Sequence, residues 1–245
     1  MGDERTTGVR LARLIADPAH GPLPALMLVL TVLTGVVDAV SILSLGRVFV
    51  ANMTGNVVFI GFAVAGASGF SLSASISALA GFLGGAALGG AAVGRLGGHR
   101  GRLLAAVTAA ELVLVLVALL ITALAGANLV TGEKVSIAAL LALAMGAQNA
   151  AVRDLKVFDL TTTVLTMTLT GIAADFRQGD RFAITRRLLA VLAMFAGAAV
   201  GTLLVLKVSN TAALGLAALL LITVAATAAT TSRTRATWQP RKASE

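Results

Sequence analysis

The sequence predicts an all-α, polytopic integral membrane protein, and three observations carry that prediction. Only 12% of its 245 residues are charged while 58% are hydrophobic, and the mean hydropathy is +0.95. A soluble domain keeps roughly a quarter of its residues charged because its surface faces water. Apolar runs of spanning length follow one another with short gaps. Lys and Arg fall mainly in those gaps and at the chain ends, where they orient helices across a bilayer. The formal net charge of +8 therefore reads as topology. The basic residues form no single face or stripe, which argues against nucleic acid as a partner.

Eight runs follow in order: 23–46, 48–70, 72–94, 103–125, 135–152, 160–174, 188–206 and 211–229. Crossing the hydrocarbon core takes about 20 helical residues. The sixth run offers 15 residues, about 22 Å at the helical rise, and carries Thr161, Thr162, Thr163, Thr166, Thr168 and Thr170. The second is long enough but holds Asn52, Thr54, Gly55 and Asn56 together. Backbone breaks at membrane depth are tolerated only when buried in protein or lining a cavity. Both runs are therefore expected to be broken or re-entrant.

Charge placement separates two topologies. If all eight runs cross from a cytoplasmic N-terminus, 12 of the 19 Lys and Arg lie inside, and Arg95, Arg100 and Arg102 lie outside. If the second and sixth runs enter and return, 16 lie inside, and only Arg47, Lys134 and Lys207 lie outside. The positive-inside rule favours six spans plus two re-entrant segments over eight spans. In that arrangement residues 1–22 and 231–245 form cytoplasmic tails around one transmembrane domain, 23–230. The N-terminal stretch is too polar for the apolar core of a signal peptide, so the first run is read as an uncleaved span.

An internal repeat accompanies this layout, with one half at about 23–125 and the other at about 135–230. A shift of 112 residues lays Gly85-Ala-Ala-Leu-Gly89 on Gly197-Ala-Ala-Val-Gly201, and Thr54-Gly-Asn56 on Thr166-Met-Thr168. With one residue of slack, Gly35-Val-Val-Asp38 falls on Gly146-Ala-Gln-Asn149. Three crossings per half would make the halves inverted. Inverted halves with an interrupted segment in corresponding places point to a solute site near the midplane.

Asp38 is the most informative side chain, an acid among Val36, Val37, Val40 and Ile42 in the first run. A carboxylate at that depth costs at least about 2.5–3.5 kcal/mol. It reads either as a proton- or cation-binding site or as a structural acid held by Asn, Thr or a broken-helix N-terminus. Glu111 is a second buried acid, read either as functional or as a structural pair snorkelling toward Arg100–Arg102. Asn52, Thr54, Gly55 and Asn56 could open the helix toward a solute, or zip two helices together. Gln148, Asn149, Thr166 and Thr168 carry the same two readings in the other half. The glycines at GxxxG spacing (Gly81, Gly85, Gly89, Gly90, Gly94, Gly197 and Gly201) read as helix packing.

The chain has no Cys, and His20 and His99 lie in polar flanks. No metal site, cofactor or catalytic set is expected, since no phosphate-binding loop, HExxH or nucleophile–His–acid set is present. The expected partners are the lipid bilayer and an unidentified small solute, and a homo-oligomer is compatible with the sequence.

Gly35-Val-Val-Asp38-Ala-Val and Phe49-Val-Ala-Asn-Met-Thr-Gly-Asn56-Val-Val resemble the signature of the YoaK family of bacterial inner-membrane proteins. Met145-Gly-Ala-Gln-Asn-Ala-Ala151 is similar to its second signature, and Thr161-Thr-Thr-Val164 to the start of its third. The family reads Thr-Gly-Thr where this chain has Thr166-Met167-Thr168, so the bulkier Met167 stands against a fully open second break. The resemblance implies a bacterial inner-membrane location and supplies no substrate. The functional expectation is a transporter or channel for a small solute, with Asp38 binding a proton or a cationic group. The alternative is a non-transporting scaffold or partner subunit, whose mark would be a solid interior beside Asp38.

Overall fold

The computed structural model describes residues 19–126, 128–157, 162–163, 165–233 and 238. Among them are eight helices: α1 (Leu23–Ser44), α2 (Met53–Val64), α3 (Leu72–Leu96), α4 (Arg100–Ala125), α5 (Thr131–Leu155), α6 (Leu165–Gln178), α7 (Arg181–Lys207) and α8 (Asn210–Ser232). No strand occurs among the described residues. Six of the helices, α1, α3, α4, α5, α7 and α8, are long and apolar enough to cross a membrane. They coincide with the six runs expected to span. The 12 residues of α2 and 14 of α6 reach only about 18 and 21 Å, short of a hydrocarbon core of about 30 Å.

Local chemistry sets the helix ends. Ser71, His99, Asp180 and Ser209 each accept a backbone N–H from the first turn of α3, α4, α7 and α8. These caps satisfy donors that a helix start leaves orphaned. Glu133 reaches back to the Val130 N–H at 2.8 Å at the start of α5. Buried Thr31, Thr34, Thr108 and Thr122 return their hydroxyls to the carbonyl four residues earlier. Apolar helix walls thereby carry these hydroxyls without an unmet donor.

Small residues position the helices. A Cβ added at Gly85 would overlap the Leu143 carbonyl, and one at Gly89 would lie 2.8 Å from the Ala147 oxygen. These steps match along both chains, so α3 and α5 run parallel in close contact. In the same way Gly197 meets Val32 and Gly201 meets Val36, which sets α7 parallel to α1. Lipid supplies no hydrophobic drive between helices, so close backbone approach is how packing holds them. Gly90 and Gly94 face open space, which narrows the packing role to Gly81, Gly85, Gly89, Gly197 and Gly201.

Contacts at the two ends fix the directions of the remaining helices. Arg100 at the start of α4 donates to the Leu155 carbonyl at 2.8 Å and the Ala19 carbonyl at 3.3 Å. Gly101 abuts Ser232 and Trp238, and Trp238 also covers Gly21. At the other end Ser44 donates to Asn210 at 2.7 Å, and Arg47 lies over the Phe70 ring. The basic clusters around Arg95–Arg102, Arg153–Lys156 and Arg177–Arg187 share the first end, while Arg47, Lys134 and Lys207 mark the second. Large apolar side chains point outward from the peripheral helices, among them Leu83, Leu120, Leu192, Phe195, Leu203 and Leu219. That is the surface of a helix bundle facing lipid.

Candidate functional site

Asp38 sits on α1 about 9 Å before the helix ends at Ser44, six residues on at 1.5 Å each. Beyond Ser44 the chain reverses through Gly46 (φ 96°) and Arg47 (φ 56°) and runs back into the bundle. The returning strand of backbone needs partners, and two side chains supply them. The Asn56 amide takes the Phe49 N–H at 2.8 Å and donates to the Phe49 carbonyl at 2.5 Å. The Asp38 carboxyl accepts the Val50 N–H at 3.5 Å, with the Ala51 N–H beside it. Helix α2 then starts from Asn52, whose backbone is extended. The break therefore occupies 45–52, and the Thr-Gly-Asn string expected to form it is instead the first turn of α2. Gly55 has a steric reason to be glycine, because an added Cβ would lie 2.5 Å from the Phe49 ring.

The second interrupted segment is built in the same manner. Helix α5 ends at Leu155, and Lys156 turns the chain through a left-handed conformation at φ 48°. The Thr163 hydroxyl donates to Asn149 Oδ1 at 2.5 Å, while the Asn149 amide donates to the Met145 carbonyl at 3.1 Å. Helix α6 starts two residues later, at Leu165. Thr161 and Val164 lie outside the described residues.

Both helix starts open on one cavity of about 1020 Å³. Its polar wall comes from Asp38, Asn52, Thr54, Asn149, Thr163, Thr166 and Thr202, and its apolar wall includes Ile42, Phe49, Val58, Phe59, Phe82 and Met194. A second cavity of about 800 Å³ shares Phe82, Asn149 and Thr163 with the first and continues to Arg153, Asp154 and Lys156. The two spaces adjoin at Phe82, Asn149 and Thr163.

Not every residue singled out from sequence reaches this wall. Asp38, Asn52, Thr54, Gly55, Asn149 and Thr166 line the cavity. Asn56 is fully buried behind it and holds the break, while Gln148 and Thr168 are buried away from it. Glu111 does not snorkel toward Arg100–Arg102: it is fully enclosed and faces Gln148. With its nitrogen toward Glu111, the Gln148 amide donates at 2.9 and 3.2 Å and accepts the Thr162 hydroxyl at 3.1 Å. This network reaches the second break from behind. Sequence reading missed the aromatic wall and the part played by Thr163. Phe82 lies 112 residues before Met194, and Ala51 lies 112 before Thr163, but neither Met194 nor Ala51 carries polarity or charge that would mark a site.

Comparison with known proteins agrees with this architecture. The profile of the family described as Protein of unknown function (DUF1275) matches residues 26–227. The UPF0700 transmembrane protein YoaK of Bacillus subtilis (strain 168) is 30% identical over 150 residues, covering 61% of this chain and 65% of that relative. The chain thus spans about two thirds of that relative's length. No solved structure matches. The family match runs from α1 into α8, over every helix that shapes the cavity, and the chain belongs to the DUF1275 family of YoaK-like multi-pass membrane proteins.

Proposed function

We propose that this protein carries a small solute across the bacterial inner membrane through the cavity beside Asp38, with both chain termini cytoplasmic. The observation that carries the proposal is that cavity, where a membrane-depth carboxyl, two helix starts and an uncharged polar wall meet. A scaffold would be expected to have a solid interior at this point. The second space, which shares Phe82, Asn149 and Thr163 with the first and continues to Arg153, Asp154 and Lys156, supports a passage that extends beyond the first. Asp38 binds a proton or a cationic group in this reading, and no covalent chemistry is assigned.

The reading places α2 and α6 as re-entrant helices in two inverted halves, and the packing supports it. Helices α3 with α5, α5 with α4, α2 with α3 and α3 with α4 are in contact; so are α7 with α1, α1 with α8, α6 with α7 and α7 with α8. Exchanging the halves turns the first set into the second. The cavity wall pairs likewise: Asp38 with Asn149, Ala51 with Thr163, Met53 with Leu165, Thr54 with Thr166, Phe82 with Met194, each 111 or 112 residues apart. At the paired positions Asn149 holds its break with a neutral amide while Asp38 holds its own with a carboxyl. An amide thus ties the second break to its helix through the Thr163 hydroxyl, and in this reading the charge at Asp38 serves the solute.

Cysteine accessibility tests this without knowledge of the solute, because the chain has no native Cys. Ser71→Cys should react with a membrane-impermeant maleimide from outside the cell, and Arg153→Cys, exposed at the end of α5, from the cytoplasm. Asn52→Cys and Thr166→Cys should each react from at least one face. A cytoplasmic Ser71→Cys would overturn the six-span topology. Asn52→Cys and Thr166→Cys both inert from either face would overturn the pathway.

A further inference from the structure

The wall chemistry also restricts what the cavity accepts. Among the described residues that line it, Asp38 carries the only ionisable side chain, and no Lys, Arg or His reaches the wall. A carboxylate enclosed at membrane depth is costly unless a positive charge or hydrogen bonds compensate it. Here the compensation is thin. The Val50 N–H stands at 3.5 Å, the limit of a useful hydrogen bond. The starts of α2 and α6 add partial positive charge, about half an elementary charge each, while the N–H groups Asp38 meets, Val50 and Ala51, belong to the chain that leads into α2. An anionic ligand would meet the carboxylate's repulsion, and a neutral one would leave a proton as its only compensation, whereas a cationic one compensates it directly.

The apolar wall completes the specification. Phe49 and Phe59 are stacked, with ring centroids 5.7 Å apart and planes 14° from parallel. Phe82 approaches from α3, and all three rings line the cavity with Asp38. Aromatic rings attract a weakly hydrated cation through their quadrupoles, best where water is excluded. Rings beside a lone carboxylate form a site for an ammonium group attached to an apolar body. The volume of about 1020 Å³ exceeds what a bare metal ion needs and stands at the upper limit of small-molecule sites.

We infer that the cavity binds an organic monocation, an amine or quaternary ammonium whose charge sits on Asp38 and whose body packs on Phe49, Phe59 and Phe82. The inference rests on the cavity being the solute site, and its test separates the two claims. Binding is measured calorimetrically on the full chain in detergent, where no passage is required. Three probes share an aromatic body: benzyltrimethylammonium, benzyl alcohol and phenylacetate. Benzyltrimethylammonium should bind, with the other two weaker by about tenfold or more.

Asp38→Asn should lose at least that factor for the cation and change little for benzyl alcohol. Asn149→Asp should tighten cation binding severalfold by placing a second carboxyl on the wall. The double variant Asp38→Asn/Asn149→Asp should recover part of the cation binding, which distinguishes lost charge from lost folding. Preference for phenylacetate, equal cation binding by wild type and Asp38→Asn, or no binding of benzyltrimethylammonium would each overturn the assignment. If the cation binds as expected but the cavity cysteines prove inert from both faces, the ligand class stands and the pathway falls.

Discussion

Replacing Gly85 by Ala tests whether close backbone approach holds the bundle together. The added Cβ would overlap the Leu143 carbonyl oxygen, and would lie 2.7 Å from the carbonyl carbon and 3.0 Å from Cα. Ordinary carbon contacts sit at about 3.5–4.0 Å, so α3 and α5 must part by about 1 Å. All the opposing atoms are backbone, and no rotamer change relieves them. Parting by that much forfeits roughly a quarter to a half of each dispersion contact along the seam, which includes Gly81 on Ala139 and Gly89 on Ala147. Overpacking of this kind costs about 1–3 kcal/mol. Ala gains back about 0.5–1 kcal/mol over Gly in a helix interior, so the steric term wins by roughly 1–2 kcal/mol. Thermal unfolding in detergent should show a melting point lower by about 2–8 °C, at 2–4 °C per kcal/mol for a chain of this size. Gly94→Ala, on the same helix with nothing within 4 Å, should leave it unchanged or raise it. Equal shifts for the two variants would refute the reasoning, because propensity alone would then account for both.

Two further outcomes follow from the site. Gly55→Ala should displace the Phe49 ring and weaken benzyltrimethylammonium binding severalfold, whereas Gly61→Ala on the same helix, facing open space, should leave it unchanged; calorimetry on both variants decides. Glu111→Gln should unfold within about 1 kcal/mol of wild type because a neutral amide still meets Gln148, whereas Glu111→Leu strands the Gln148 amide and should cost about 1–3 kcal/mol more. Identical denaturation midpoints for these two variants would show that the buried network holds nothing.

The spans were legible in the sequence because lipid imposes one requirement on every residue of a crossing helix. Runs of about 20 apolar residues have few other uses, and charge placement separated six from eight. The breaks were legible only as regions. Polar residues at 52–56 marked the right neighbourhood, yet the backbone opens at 45–52, where Gly46 and Arg47 take positive φ. A polar side chain that holds a break and one that lines a cavity look the same in one dimension: Asn56 does the former and Asn52 the latter. Glu111 escaped for a related reason. Its neighbour in sequence is the basic end of α4, but its neighbour in space is Gln148 on α5.

What the repeat adds is a way to weigh one residue against its counterpart. A buried acid can always be explained as structural when viewed alone, since any carboxyl near a chain reversal finds N–H groups to accept. Asn149 offers the comparison in the reading of paired halves: at the paired position an amide Oδ1, without charge, takes the Thr163 hydroxyl, where Asp38 takes the Val50 N–H. The aromatic wall shows a comparable asymmetry: Phe82 faces the cavity in one half where Met194 does in the other. Carboxyl and stacked rings both belong to the half that contains α1 and α2, so the cavity is chemically one-sided although its backbone frame is paired. In the proposed transport reading, a paired frame with a one-sided lining would let two halves exchange roles mechanically while the ligand stays on the same side chains. The charge-swapped Asp38→Asn/Asn149→Asp variant probes that separation: it moves the carboxyl to the opposite half and leaves the rings behind. Cation binding should return in that variant but fall short of wild-type affinity, because the restored charge no longer adjoins Phe49 and Phe59. Full recovery would mean that the rings contribute nothing and that charge alone selects the ligand.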